Sequence, residues 1–394
     1  MGLHFLYYIV LFFAFVIIVI TLINCIPTFY TWQSRIFFGK YKDQSSWTLA
    51  VLKKSQKWLL HTPSIQTSEI KSELFWRSIL GKHKNATVQS WQEASLLLGL
   101  TAYINATQDE KSKAVIQKYI KSNFTSDGNW KKKPLNSDAV MLGYALLNLE
   151  GVDFKKYQPA FKFLLDLISD LIGEDGTIAY RKHTSNFRYV DTIGLCSAFL
   201  VKYGIEFENE KWVDLGLNQI REFEKKGMFP NTLIPAHTYD IKNQLPAGLH
   251  GWGRGMGWYA IGLIDSWNAL PQSHPNKAEF TNKVAAFAKQ ILSFQNSNGS
   301  WNWIVMEPHS QHDSSATASL AWFLVNASKI ESLSKECQVA KEKALDYLKS
   351  VTRRTGAIDF SQGDTRGIGA YSQHFEILPF TQGFCLRTLF AQTK

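Results

Sequence analysis

A short glycine-centred signature recurs five times along this chain of 394 residues, each time between two stretches of helical periodicity. Each copy has a turn-forming residue, then Gly, one further residue and an apolar anchor. The copies are Asp127–Trp130, Asp175–Ile178, Lys226–Phe229, Asn298–Trp301 and Thr355–Ile358. Because Gly permits the positive φ of a turn that follows a helix, each copy is predicted to end one helix and lead into the next. The period of roughly 50–70 residues leaves room for one helical hairpin and a loop.

Apolar residues recur at helical spacing from about Trp47 onwards, and strand-like alternation is scarce. The stretches predicted as helices are Trp91–Ala106, Ser137–Leu149, Phe154–Ile172, Asp191–Tyr203, Trp212–Lys225, Trp258–Ala269, Phe280–Phe294, Ser314–Val325 and Cys337–Val351. A helical hairpin buries only one face by itself, so a set of about six must stack or close into a ring. Closure predicts an all-α fold, an (α/α)6 toroid of inner and outer helices whose loops gather at one end.

The N-terminal run Phe5–Ile26 has no charged side chain and is long enough, at about 1.5 Å per residue, to cross a bilayer core. The preceding Met1–His4 lacks the basic residues of a secretory signal, whose apolar core is also shorter. The sequence therefore predicts one transmembrane helix within residues 1–27, a juxtamembrane linker over 28–45 and the toroid over 46–394.

Three basic residues, Arg35, Lys40 and Lys42, follow this predicted single-pass anchor closely. Since short basic segments tend to stay on the cytoplasmic side, they favour a cytoplasmic toroid, although large domains can cross a membrane regardless of charge.

The formal net charge of +10, from 43 Lys and Arg against 33 Asp and Glu, suits an anionic partner. The basic residues are scattered, with no long tract and no zinc-finger spacing, which argues against nucleic acid and favours a membrane face or an acidic small substrate. The four cysteines form no C-x-x-C pair, which argues against a disulfide framework and a thiolate metal site.

Polar residues concentrate in four segments that follow the signatures and precede helices. These segments are Asn136–Asp138, Arg188–Asp191, His250–Arg254 and His312–Ser315. Since the connectivity repeats, we expect them at one mouth of the ring, and such a mouth is a favoured ligand cleft. An Asp at a helix start is often only an N-cap, and this alternative applies to Asp138, Asp313 and Asp191. Asp191, however, follows Tyr189 and Val190 in an apolar run, which would raise its pKa and keep a proton available.

The segment that contains Trp252, Arg254 and Trp258 carries four alternating glycines. The tryptophans can be core residues, as aromatics at helical spacing usually are. Arg254 would be half-buried among backbone drawn close to a ligand or a neighbouring helix, and a buried Arg requires an anion.

The segment Trp252–Ala260 resembles the W-[GA]-R-G-N-G-W signature of the unsaturated rhamnogalacturonyl hydrolases, glycoside hydrolase family 105, and of their family 88 relatives, the unsaturated glucuronyl hydrolases. Four further segments resemble family motifs in the same order, and the resemblance runs from about Lys42 to the C-terminus. They are Asn136–Asp138, Tyr189–Asp191, His237–Asp240 and Asp313–Ala318. Met256, Tyr180–Arg181 and Thr192 depart from the residues that the family usually has there.

The resemblance implies hydration of the C4=C5 double bond of an unsaturated galacturonyl or glucuronyl residue at the non-reducing end of a lyase-generated oligosaccharide. Asp191 would be the general acid and base, and Asp138 the second carboxylate. Arg254 and Arg181 would bind the uronate carboxylate. The resemblance places the other sugar-binding positions at Trp252, Trp258, His237, Asp313 and Ser315, with no metal and no organic cofactor.

Two other classes of function stay open on the sequence alone. One is a different carbohydrate enzyme on the same toroid, either a polysaccharide lyase or an endo-glycosidase. The other is a membrane-tethered sugar-binding protein without catalysis, because a fold by itself does not specify activity.

Overall fold

The structure, a computed structural model, describes residues 2–63, 90–149, 151–365 and 367–391. Its helices are α1 Gly2–Arg35, α2 Gln44–Leu60, α3 Ser90–Thr107, α4 Glu110–Asn123, α5 Val140–Leu147, α6 Gln158–Ser169, α7 Val190–Thr192, α8 Ala198–Glu206, α9 Glu210–Lys226, α10 Gly253–Ala269, α11 Lys277–Leu292, α12 Ser314–Ala327, α13 Ser334–Ser350 and α14 Pro379–Leu389. A π-helical turn at Ile193–Ser197 joins α7 to α8 without a break. Short 3-10 segments lie at Ser137–Ala139, Phe154–Tyr157, Lys182–Thr184 and Glu331–Leu333.

After α1 the helices alternate between an outer and an inner layer. The outer helices are amphipathic: α11 buries Phe280, Val284, Phe287 and Ile291 on one face and leaves its other face in water. The inner helices are apolar nearly all round, and every residue of α12 is buried. The outer layer contains α2, α4, α6, α9, α11 and α13, and the inner layer contains α3, α5, the joined α7–α8, α10, α12 and α14.

The inner layer closes into a ring. Each inner helix packs on the next, and the last, α14, packs on the first, α3. The outer layer closes too, because Trp47 Nε1 on α2 donates to Thr352 Oγ1, two residues past α13, at 2.9 Å. The first outer helix is also bonded to the last inner helix, since Gln382 Nε2 on α14 donates to the carbonyl of Val51 on α2 at 3.1 Å. The fold is the (α/α)6 toroid predicted from the recurring signature.

Four of the five signatures form the same loop. The residue three places before the Gly accepts the Gly N–H and donates its own N–H to the carbonyl of the residue after the Gly. The glycines of these loops have φ between +70° and +89°, as expected: Gly128, Gly176, Gly299 and Gly356. For Gly227 the prediction of a positive φ is wrong, because this residue caps α9 with φ −108°.

At the end opposite the signature loops, a buried ion pair ties the inner helices together. Asp265 on α10 accepts from Arg387 Nη1 on α14 at 2.7 Å and from Trp322 Nε1 on α12 at 2.9 Å. The Arg387 guanidinium lies 3.8 Å from the Trp322 ring centroid and donates to the Tyr144 hydroxyl on α5 at 3.4 Å. A buried charge is costly unless it is paired and hydrogen-bonded, and these contacts stabilise both Asp265 and Arg387.

The described strands are two or three residues long and lie where the inner helices begin, the end that we call the mouth. β1 Phe187–Tyr189, β2 Thr238–Asp240 and β3 Leu245–Ala247 form an antiparallel sheet in the order β1-β2-β3. β4 Ser361–Gln362 pairs with β5 Phe375–Glu376. The sequence did not predict these strands, since two or three residues are too few to show an alternating pattern.

Helix α1 is long and apolar enough to cross a membrane, with a mean hydropathy of 3.1 in its most apolar window, and none of that window is buried. The same length and composition fit a signal sequence. The helix continues past residue 27 and ends at Arg35, beside the toroid.

We expect Gly299→Ala to destabilise the toroid more than Gly176→Ala. Both positions have positive φ, which costs an L-residue about 1–2 kcal/mol. A Cβ at Gly176 would meet nothing within 4 Å, whereas one at Gly299 would lie 2.1 Å from the Lys343 carbonyl on α13. The free energy of unfolding should fall by about 1 kcal/mol in Gly176→Ala and about 3 kcal/mol in Gly299→Ala, because overpacking adds to the strain. Urea unfolding measures both, and equal losses would contradict the docking of this loop on α13.

Candidate active site

A cavity of about 310 Å³ opens at the mouth of the ring. Two arginines, two histidines, two carboxylates and several aromatic rings face it. Its lining residues are Trp91, Tyr180, Arg181, His183, Thr184, Tyr189, Asp191, Leu195, His237, Trp252, Arg254, Trp258, Asp364, Thr365 and Gly367. The combination of aromatic walls and a few convergent charged groups is typical of a small-molecule site.

Asp191 reaches this cavity from the first turn of α7, and strand pairing brings His237 beside it. Tyr189 pairs with Thr238 across β1 and β2, and the Val190 N–H donates to the His237 carbonyl at 2.9 Å. His237 Nε2 therefore lies 3.5 Å from Asp191 Oδ2. That carboxylate oxygen is buried and has no hydrogen-bond partner among the described residues, although the side chain keeps 14% exposure to the cavity.

The orientation of the His237 ring is set by Tyr371. The Leu249 N–H donates to the Tyr371 hydroxyl at 2.9 Å, and this hydroxyl lies 3.0 Å from His237 Nδ1. Burial raises the pKa of Tyr371 to about 12, so the hydroxyl keeps its proton at neutral pH. With one lone pair taken by Leu249, the hydroxyl can donate to Nδ1, and a neutral imidazole then presents Nε2–H to Asp191.

Close packing of two inner helices fixes the floor of the cavity. A Cβ at Gly194, in the π-helical turn after Asp191, would lie 2.6 Å from the Trp258 ring on α10. Trp258 meets Trp91 edge-on at 5.3 Å between ring centroids. A π-helical turn shifts the register of the helix by one residue and is frequent at functional sites.

Arg254 is a buried cation held by neutral groups. It is 1% exposed, and its Nη1 and Nη2 donate to the carbonyls of Gln362 at 2.5 Å and Gly363 at 2.7 Å. Nη1 also lies 3.4 Å from Ser315 Oγ. No carboxylate of the described residues forms an ion pair with it. The cavity thus contains a positive charge that an anionic ligand would neutralise.

Trp252 stands beside Arg254 as a fixed aromatic wall. Its Nε1 donates to Gln362 Oε1 at 2.7 Å, and the Arg254 guanidinium lies 5.0 Å from the centroid of its ring. The residue is 1% exposed, so it serves the core and the cavity wall together.

Arg181 and Asp138 form a second charged group at the cavity. The Arg181 guanidinium lies 3.8 Å from the Tyr180 ring centroid, and its Nη2 is 3.6 Å from Asp138 Oδ1. Asp138 Oδ2 accepts the Ser90 N–H at 3.0 Å. Burial raises the pKa of Asp138 despite the opposing charge of Arg181. Asp138 is absent from the lining of the cavity and lies behind Arg181.

Asp313 and Ser315 also lie behind the cavity wall. The Asp313 carboxylate caps α12 through the Ser315 N–H at 2.8 Å, as in the capping alternative, and also accepts the Gln362 N–H at 3.1 Å. It thereby holds β4, whose carbonyl binds Arg254. The structure places Asp191, Arg254, Arg181, His237, Trp252 and Trp258 in the lining, and places Asp138, Asp313 and Ser315 next to it.

Sequence reasoning missed Asp364, Thr365, Gly367 and Trp91. Four of the signatures are followed by polar residues that precede an inner helix. The last copy, Thr355–Ile358, also leads into an inner helix, so the same reasoning would have pointed to the residues before α14. Trp91 begins the first inner helix, which no signature precedes.

Comparison with known proteins identifies a family for this chain. The family model of Glycosyl Hydrolase Family 88 matches residues 52–386. The unsaturated rhamnogalacturonyl hydrolase YesR of Bacillus subtilis (strain 168) is 22% identical over 249 residues, which are 61% of this chain and 71% of that protein.

Solved structures of low sequence identity share the fold. A possible member of glycoside hydrolase family 105 from Klebsiella pneumoniae superposes with a TM-score of 0.73 at 16% identity, covering 89% of this chain and 94% of that one. An unsaturated glucuronyl hydrolase from Bacillus sp. GL1, responsible for the degradation of glycosaminoglycan, superposes with a TM-score of 0.62 at 14% identity, covering 86% and 94%. With a family match across most of its length and the signature Trp252–Ala260 at its cavity, the chain belongs to Glycosyl Hydrolase Family 88.

Proposed function

We propose that the protein hydrolyses lyase-generated oligosaccharides by removing a 4,5-unsaturated uronic acid, galacturonyl or glucuronyl, from their non-reducing end. The single observation behind this proposal is the pair of groups that face one cavity. Among the described residues, one Asp191 carboxylate oxygen has no hydrogen-bond partner, and no carboxylate forms an ion pair with the buried Arg254 guanidinium. Two matched relatives are named as an unsaturated rhamnogalacturonyl hydrolase and an unsaturated glucuronyl hydrolase, and these names support this substrate class.

Arg254 is proposed to bind the C6 carboxylate of the uronic acid. Its charge is fixed in place by two backbone carbonyls, and a substrate carboxylate would pair with it directly, as no carboxylate of the described residues does. The inner helices begin at the mouth, so the positive ends of their dipoles also face the ligand. Trp252 and Trp258 supply flat apolar surfaces against which a sugar ring can lie.

Asp191 is proposed to act first as a general acid and then as a general base. As the carboxylic acid it donates its proton to C4 of the C4=C5 double bond, which leaves the positive charge shared by C5 and the ring oxygen. As the carboxylate it then takes a proton from the water that attacks C5. The resulting hemiketal opens and releases the neighbouring sugar, so one water is consumed and Asp191 regains its proton.

The surrounding groups are proposed to prepare Asp191 and the substrate. His237 Nε2–H faces the carboxylate from 3.5 Å and would tighten on it when the proton is lost. Asp138 is the proposed second carboxylate. From behind Arg181, it would hold that guanidinium toward the uronate while Asp313 and Ser315 support Arg254 from the side of α12.

A panel of saccharides tests the proposed reaction. The protein should consume unsaturated uronyl disaccharides with loss of the absorbance near 235 nm that the conjugated double bond gives, and should leave the saturated disaccharides intact. Cleavage of a saturated polymer would indicate an endo-glycosidase. A rise in this absorbance on such a polymer would indicate a lyase. Binding without turnover would indicate a sugar-binding protein.

Asp191→Asn is the matched variant for this assay. It keeps the size and shape of the side chain but removes its proton transfer, so kcat should fall by roughly 10²–10⁴-fold while substrate still binds. Calorimetric titration with the disaccharide checks that binding persists. Near-normal turnover would exclude Asp191 as the acid and base.

Arg254→Lys tests the carboxylate contact. Lys keeps the charge but cannot make the two-pronged contact, so KM for the charged disaccharide should rise about tenfold, with little change in kcat. The methyl ester of the same disaccharide, which has no carboxylate, is the control and should show no such change. Equal changes with acid and ester would mean that Arg254 supports the fold rather than the substrate.

We propose that α1 is retained as a membrane anchor. Its apolar length allows a span, and its last turn is bonded to the toroid through Arg35. Alkaline carbonate should then leave the protein in the membrane fraction, and its intact mass should include residues 2–35. A soluble protein shortened by about 25 residues would identify the segment as a cleaved signal sequence.

A further inference from the structure

We propose that Arg35, the last residue of α1, is a positioning residue of the cavity that clamps the hairpin formed by β4 and β5. The effect on catalysis rests on the function proposed above, whereas the clamp itself does not. Arg35 lies beyond the predicted span at residues 1–27, so the clamp is the same whether or not that span is retained.

Arg35 bonds to both strands at the base of the hairpin. Its Nε and Nη2 donate to the two carboxylate oxygens of Asp359 at 2.7 and 3.0 Å, and Nη2 also donates to the Phe375 carbonyl at 3.2 Å. Asp359 lies two residues before β4, and Phe375 begins β5. A two-pronged Arg–carboxylate pair is among the strongest hydrogen-bonded contacts and fixes orientation as well as distance.

The Asp359 carboxylate needs this partner. It is fully buried, and Arg353 Nε donates to it at 2.6 Å as the second cation. Burial opposes ionisation of Asp359, but the hydrogen bonds from Arg35 and Arg353 outweigh that cost and hold its pKa below the ordinary value. Loss of Arg35 would leave Arg353 as the one cation beside the buried Asp359 carboxylate. It would also remove the hydrogen bond from Arg35 to the Phe375 carbonyl.

The same hairpin forms part of the cavity. The carbonyls of Gln362, the last residue of β4, and of Gly363, just past it, accept the two bonds from Arg254. Asp364 and Thr365 line the cavity a few residues further on, and Tyr371, before β5, fixes the His237 ring. A contact at the base of the hairpin therefore bears on the groups proposed to bind the carboxylate and to orient the acid.

The segment around Arg35 is seated on the toroid by independent contacts. Phe38 packs on Phe360 with 5.3 Å between ring centroids, and the Arg35 guanidinium lies 5.2 Å from the same ring. The Gly39 N–H donates to the Thr352 carbonyl at 3.0 Å, and the Tyr41 hydroxyl donates to the Arg353 carbonyl at 2.5 Å. Arg35 is thus held in place by the contacts of the residues that follow it.

Two measurements on the full-length protein test the clamp. In Arg35→Ala we expect amide hydrogen exchange at Gln362 and Gly363 to accelerate about tenfold, and KM for the unsaturated disaccharide to rise about tenfold with kcat within about twofold. Arg35→Lys keeps the charge but cannot make the two-pronged contact with Asp359, so it should give smaller changes in the same direction. It replaces the alanine variant in both measurements if that variant folds poorly.

Arg221→Ala is the matched control. Arg221 on α9 is about as exposed as Arg35 and forms a two-pronged pair with Glu279 on α11, in the outer layer. Its removal should leave the exchange of Gln362 and Gly363 and the KM unchanged. Exchange and KM equal to wild type in both Arg35 variants would overturn the clamp. Faster exchange in a protein that turns over no unsaturated saccharide would instead refute the proposed function and leave the clamp standing.

Discussion

The structure depends on the need to bury the inner helices on all sides. Helix α12 has no polar face, so it is stable only between two inner neighbours and an outer helix. The same holds for α14, which reaches back to α3 and closes the ring. Closure places the beginnings of the inner helices together, and the cavity is the space that their first turns leave at the mouth.

Burial also explains how the charged groups of the site are arranged. Arg254 is desolvated, and backbone carbonyls from the hairpin β4–β5 satisfy its hydrogen bonds without neutralising its charge. Arg387, at the far end of the ring, has a full carboxylate partner in Asp265. The two arginines are similarly buried but have different partners. Arg387, paired with a carboxylate, helps to close the ring, whereas Arg254, bound to carbonyls, keeps a charge that a ligand can neutralise.

The junction of α1 with the toroid connects the long apolar helix to the cavity. Arg35 ends the long apolar helix and binds Asp359, which precedes the strand that holds Arg254. Exposed aromatic residues, Tyr30 and Trp32, lie about one helical turn before Arg35, and such residues favour a bilayer interface. If α1 spans a bilayer, the hairpin β4–β5 lies on the side of the toroid that faces it.

The sequence by itself determined the architecture and most of the cavity. The recurring signature predicted the toroid, and the segments before the inner helices predicted Asp191, Arg254 and Trp252, because local turn and helix preferences repeat in every hairpin. It did not reveal α4 or α14. Helix α4 has only a short apolar stripe, with Ile116 and Tyr119 buried, and α14 buries polar Thr381 and Gln382 among its apolar residues. Only the tertiary structure decided that His237 meets Asp191, that Asp138 and Asp313 lie behind the cavity wall, and that Arg35 belongs to the mouth. Each of these depends on pairings between segments about 40 to 320 residues apart, which side-chain packing selects and no local pattern records.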